Sequence, residues 1–176
     1  ITLKSKTKYD PNAKCPLWEK FLKEVTMRNE ELQIYLQKLC GYCLIGKRNE
    51  QFIIFVVGLG ANGKSVFINT LSYVFGEYAG IISARPLING SNGAIPSDVA
   101  NLYGKRLVTL SEFPEESHLN TTLIKSITGG DRLTARHLYQ NWFEFNPEFV
   151  LICAMNQIPE IREDDLAFFR RSVSYT

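Results

Sequence analysis

Apolar positions follow two rhythms along the chain, and the change from one to the other marks out the elements. From Pro16, a residue suited to the first turn of a helix, Trp18, Phe21, Leu22 and Val25 recur at helical spacing until Asn29 interrupts them. Leu32, Tyr35, Leu36, Leu39 and Tyr42 then predict a second amphipathic helix ending near Gly46. Gln51 to Val57 changes rhythm: its apolar residues are continuous, β-branched and aromatic, as expected of a strand covered on both faces. Val66, Phe67, Asn69, Thr70, Leu71 and Val74 return to helical spacing, closed by Gly76. Leu107–Leu110 and Phe149–Ala154 read as further strands, and Asn120–Thr128 as a helix stopped by Gly129 and Gly130. Asp131–Phe145 mixes β-formers with Arg132, Arg136, His137, Tyr139 and Trp142 and suits a projecting hairpin. Residues 1–13 read as a polar tail and 83–97 as an irregular loop. Strands alternating with helices predict an α/β fold with a central, mainly parallel sheet flanked by helices. A tail and helical lead-in (1–46) would precede the core (47–176).

Between the first strand and its following helix the chain abandons side-chain bulk. Gly58, Gly63, Lys64 and Ser65 fit G-x-x-x-x-G-K-[ST], with Leu59, Gly60, Ala61 and Asn62 between the glycines. Backbone N–H groups can wrap a phosphate chain only where side chains do not intrude, and glycine reaches the required turn cheaply. Residues 58 and 60–66, Val66 included, are therefore the candidate nucleotide contacts, for ATP with Mg²⁺. The helix start directs its N–H groups at the phosphates, Lys64 can reach the β and γ oxygens, and Ser65 can ligate Mg²⁺.

Hydrolysis requires more than a cradle. An acid on a neighbouring strand must organise Mg²⁺ and the attacking water, and "RLVTLSEF" supplies Glu112, with Ser111 where two-acid versions carry the first acid. Asn156 ends the Phe149–Met155 run, where it could orient that water. Arg170 and Arg171 offer guanidinium groups that could stabilise transferring phosphate oxygens, across a subunit boundary if need be, with Arg171 favoured.

Composition changes this picture little. The 176 residues are 45% hydrophobic with a formal net charge of +2, too small to imply a polyanion partner, so any nucleic-acid contact must come from local clusters. No apolar stretch approaches a bilayer span and no leader pattern is present, which makes a cytosolic protein the expectation. Cys40 and Cys43 form a C-x-x-C pair with no second pair, and His118 and His137 lie far from it; this favours a structural role over zinc. A chain that opens on Ile1 and stops soon after Arg171 reads as a piece of something longer.

These segments together resemble the superfamily 3 helicase domain of phage and plasmid P4-type primase-helicases. "DPNAKCPLWEKFL" and "YLQKLCGYCL" look like that family's lead-in, "GLGANGKS" like its Walker A and "GKRLVTLSEF" like its Walker B. "IKSITGGDRLTARHLYQNWFEFNP" looks like its B′ segment, "VLICAMNQIP" like its sensor motif, and the final Arg-Arg like its arginine-finger region. The resemblance implies an AAA+-like ATPase in a homo-oligomeric, usually hexameric, ring, with single-stranded DNA threaded through it and a primase domain attached in some members. It implies a phage, prophage or plasmid origin in a bacterial cytoplasm. Arg136, His137 and Tyr139 would sit near the B′ hairpin tip, with Lys125 and Arg132 close by; Gln140 stands where relatives often carry lysine. Two other readings of the P-loop are a small-molecule phosphotransferase and a non-hydrolysing, nucleotide-dependent DNA-binding or assembly module.

Overall fold

The computed structural model describes residues 3–46, 50–88, 96–110, 118–158, 168 and 172–175. Helices α1 (Pro16–Val25) and α2 (Glu30–Ile45) lead into β1 (Ile53–Val57), followed by α3 (Lys64–Phe75) and β2 (Ala79–Ile81). Next come α4 (Pro96–Ala100), β3 (Leu107–Leu110), α5 (Thr121–Gly129), the pair β4 (Leu133–Ala135) and β5 (Phe143–Phe145), then β6 (Val150–Met155) and β7 (Ser172–Tyr175).

Five strands form one parallel sheet in the order β2-β3-β6-β1-β7. Alternation along β1 explains its unbroken apolar run. Ile53 and Phe55 join a core with Val99, Ile124, Ile127, Leu133 and Phe145, whereas Ile54 faces a second core with Leu39, Phe67, Ile68 and Leu71. Covering both faces removes water from every strand position, at roughly 1.5–3 kcal/mol for each large side chain buried. The lead-in helices belong to the second core, where Trp18 stacks on Phe21 and Phe67 at 5.3 and 5.7 Å.

The boundaries follow local chemistry. Asn29 caps α2 by accepting from Leu32 N–H at 3.0 Å, and Asn120 does the same for α5 toward Leu123 at 3.1 Å. Gly46 and Gly130 end those helices in the left-handed region. In the segment read as an irregular loop, residues 85–87 form a 3₁₀ turn, Ile88 bridges Leu119, and α4 begins at Pro96. Within the segment read as a tail, Lys4 and Ser5 lie against the end of α3. Glu77 N–H donates to Lys4 O at 3.0 Å and Ser5 Oγ to Val74 O at 2.6 Å, satisfying a carbonyl that a helix end leaves over.

A candidate nucleotide site and a projecting hairpin

Loop 58–63 runs from the carboxyl end of β1 into α3. Ala61 (φ 63°) and Gly63 (φ 85°) are both left-handed, two residues apart. Such alternation turns successive N–H groups toward one concavity, the arrangement that binds anions. A Cβ at Gly60 would meet nothing within 4 Å, whereas one at Gly63 would lie 2.8 Å from Val25 Cγ1 and 3.0 Å from Phe21 Cε2 of α1. Glycine at 63 thus answers both a backbone angle and a close helix. Gly63→Ala is expected to cost about 1–3 kcal/mol of stability in thermal or denaturant unfolding. An unchanged unfolding midpoint would mean that α1 does not press on the loop.

Lys64 folds back over this loop. Its ammonium donates to Gly58 O, to Leu59 O at 3.3 Å and to Asn62 Oδ1 at 3.0 Å. A cation held by neutral acceptors at the mouth of an N–H cradle fits a triphosphate, which offers it charged acceptors instead. Ser65 and Val66, in the first turn of α3, are exposed.

Sheet topology locates the other candidates. Gly58 N–H donates to Met155 O at 3.2 Å, extending the Val57↔Met155 register by one residue, so the exposed Asn156 leaves the sheet beside the loop. In open parallel sheets ligands bind outside the carboxyl ends of strands, and this edge is that place. The neighbour of β1 on this side is β6; β3, the strand that leads to Glu112, is one place further out and does not adjoin β1 as the sequence reading supposed. Ser111, Glu112, Arg170 and Arg171 lie outside the described residues.

The hairpin is present as expected. β4 and β5 pair antiparallel, with Leu133↔Phe145 at the base and Ala135↔Phe143 closing a loop of residues 136–142. Phe143 and Phe145 meet Tyr103 edge-on at 5.7 and 5.6 Å, anchoring the hairpin just ahead of β3. Tyr139 is 104% exposed at φ 61°, and Leu138 and Trp142 are 72% and 55% exposed. These aromatics do not pack on the core.

Arg136 lies over the Trp142 ring, 4.7 Å from its centre, and His137 stacks on Phe143 at 5.8 Å. Arg132 sits away from the tip, paired with Glu144 at 3.1 Å, and Lys125 belongs to α5. The structure therefore gathers Arg136, His137 and Tyr139, adds Leu138 and Trp142, and sets Lys125 and Arg132 apart. The signal for Leu138 and Trp142 was two large apolar residues in the connecting loop, where burial cannot reach them.

The cysteines behave as packing groups. Cys43 and Cys153 are buried, and burial pushes the Cys40 thiol up to about 11 and that of Cys43 to about 12, with Cys153 raised as well. They stay protonated at neutral pH, which makes them poor metal ligands, and no group of three or more metal-ligating side chains occurs among the described residues.

A parallel sheet with a glycine loop at the carboxyl end of β1 and helices on both faces defines a P-loop NTPase-like fold. The chain belongs to a protein family described only as a family of unknown function (DUF5906), which matches residues 56–171. It is 31% identical over 153 residues to "Putative helicase L207/L206" of Acanthamoeba polyphaga mimivirus, covering 86% of this chain and 16% of that protein. It is 30% identical over 138 residues to "Putative helicase V13" of Sputnik virophage, covering 74% and 18%. The chain thus spans under a fifth of the length of these curated relatives.

Among solved structures, the apo A form of the NrS-1 C-terminal region superposes with a TM-score of 0.64 at 15% identity, over 97% of this chain and 38% of that one. JCV helicase with a bound acetamide compound gives 0.60 at 10% identity, over 93% and 45%. Together these matches support a helicase-like domain. The relatives named here are viral, and the phage or plasmid origin expected from the motifs draws no support from them. No described helix is long and apolar enough to cross a membrane.

Proposed function

We propose that this chain is the ATP-dependent motor domain of a helicase that moves along single-stranded DNA, working as a ring with nucleotide held where subunits meet. The observation that carries the reading is the carboxyl edge of the sheet, where the Gly58–Ser65 loop, the start of α3 and Asn156 converge. Loop N–H groups and Lys64 would hold the triphosphate, and Ser65 with Glu112 would hold Mg²⁺. Bound magnesium-ATP would supply a phosphoanhydride whose hydrolysis releases the energy for movement. Asn156 would orient water, and Arg170 or Arg171 of an adjacent copy would meet the developing charge.

The hairpin supplies the DNA-facing part, with aromatic faces for unpaired bases and Arg136 for phosphate or base contact. Tyr103 offers a mechanical route, since it holds both hairpin phenylalanines and precedes β3. Magnesium-dependent ATP hydrolysis, measured as phosphate release, should rise several-fold with single-stranded oligonucleotide. Turnover indifferent to DNA would instead favour a small-molecule phosphotransferase, and DNA binding without turnover would favour an assembly module.

A further inference from the structure

A cavity of about 260 Å³ lies beneath the α1–α2 corner, between those helices and the sheet, and the nucleotide loop forms one wall through Asn62, Gly63 and Lys64. Its other walls are apolar: Phe21 and Val25 from α1, Leu36 from α2, and Ile54 and Ile152 from the sheet. At the rim, Met27 is 88% exposed. Met27 and Arg28 both sit in the left-handed region, at φ 49° and 62°, where side chains larger than glycine's are disfavoured. Strain of this kind persists where surrounding structure imposes it, often at ligand clamps.

The polar side-chain atoms here are already engaged. Thr26 Oγ1 donates to Leu22 O at 2.6 Å and accepts from Gln33 Nε2 at 3.1 Å, and Asn62 Oδ1 accepts from Lys64. What remains is an apolar slot continuous with a phosphate cradle, open to solvent beside a flexible thioether that adapts to a flat ring.

We infer that this cavity receives the base of the bound nucleotide and holds it by apolar contact, so that the site takes adenine and guanine nucleotides alike. The inference rests on the P-loop reading and extends it to the other end of the ligand. Apolar walls reject a competitor of similar shape weakly, by about 10²-fold at most, whereas sites built to hydrogen-bond one ligand reject analogues by 10⁴ or more. An α1–α2 corner that closes over the base also gives the lead-in helices a part in binding.

The test is competition by ATP, GTP and inorganic tripolyphosphate, each with Mg²⁺, against a fluorescent ATP analogue on the intact protein, with direct calorimetry of tripolyphosphate. ATP and GTP should bind within about tenfold of each other, and both at least tenfold more tightly than tripolyphosphate. Val25→Trp, which fills the slot, should weaken both nucleotides about tenfold and leave tripolyphosphate binding unchanged. Met27→Ala, at an exposed position, should weaken both nucleotides several-fold without altering the unfolding midpoint. Equal binding of ATP and tripolyphosphate, a preference for one purine above about 10²-fold, or two variants that bind as the parent does would each overturn the base site while sparing the P-loop. Failure of all three ligands to bind would remove the P-loop reading itself.

Discussion

Lys64→Ala is expected to lower ATP turnover by roughly 10²- to 10³-fold, the usual cost of removing one preorganised donor from a developing charge. The side chain is well suited to this test because its printed bonds all end on its own loop, at Gly58 O, Leu59 O and Asn62 Oδ1. Nothing elsewhere in the fold depends on those bonds, so the unfolding midpoint should stay within about 0.5 kcal/mol of the parent's, as for substitutions away from structural features. Phosphate release and thermal unfolding, measured side by side, separate chemistry from folding. A variant that unfolds as the parent does and still hydrolyses ATP at the parent's rate would remove the catalytic role of the loop.

Tyr139 permits a sharper separation. A fully exposed ring on a left-handed backbone costs the fold something and gives it no packing in return. Tyr139→Gly relieves that backbone and should be neutral or slightly stabilising, by up to about 1 kcal/mol. If the ring stacks on an unpaired base, the same change should weaken binding of an oligothymidylate by roughly 1–3 kcal/mol, with Trp142→Ala losing a similar amount. DNA stimulation of turnover should fall in parallel while DNA-independent turnover persists, because the hairpin tip is separate from the loop that holds nucleotide. Fluorescence anisotropy against thermal unfolding reads both effects. Unchanged affinity in both variants would strip the tip of its nucleic-acid role.

Much of the fold was legible beforehand because its signals are local. The glycine loop announces itself, since a tight anion cradle tolerates few residue types over eight consecutive positions. The helix boundaries at Asn29, Gly46, Gly76 and Gly130 were readable because caps and left-handed ends are decided within one turn. The hairpin followed from a change of apolar rhythm before a loop rich in Arg, His and Tyr. The short strand β2, the five-residue α4 and the docking of Lys4 and Ser5 on α3 carried no such signal, because each is held by distant partners.

The sequence alone therefore determined the phosphate loop, the alternation of strands and helices, and the chemistry available at the hairpin, all of which depend on neighbours a few residues away. Only the tertiary structure decided that β6 separates β1 from β3, that Asn156 leaves the sheet beside Gly58, and that α1 presses on Gly63. It likewise decided that Tyr139 and Trp142 face solvent, and that a cavity opens beneath Met27. Strand order and cavities arise from contacts between segments far apart in the chain, where many pairings satisfy the same apolar pattern and only packing of the whole selects one.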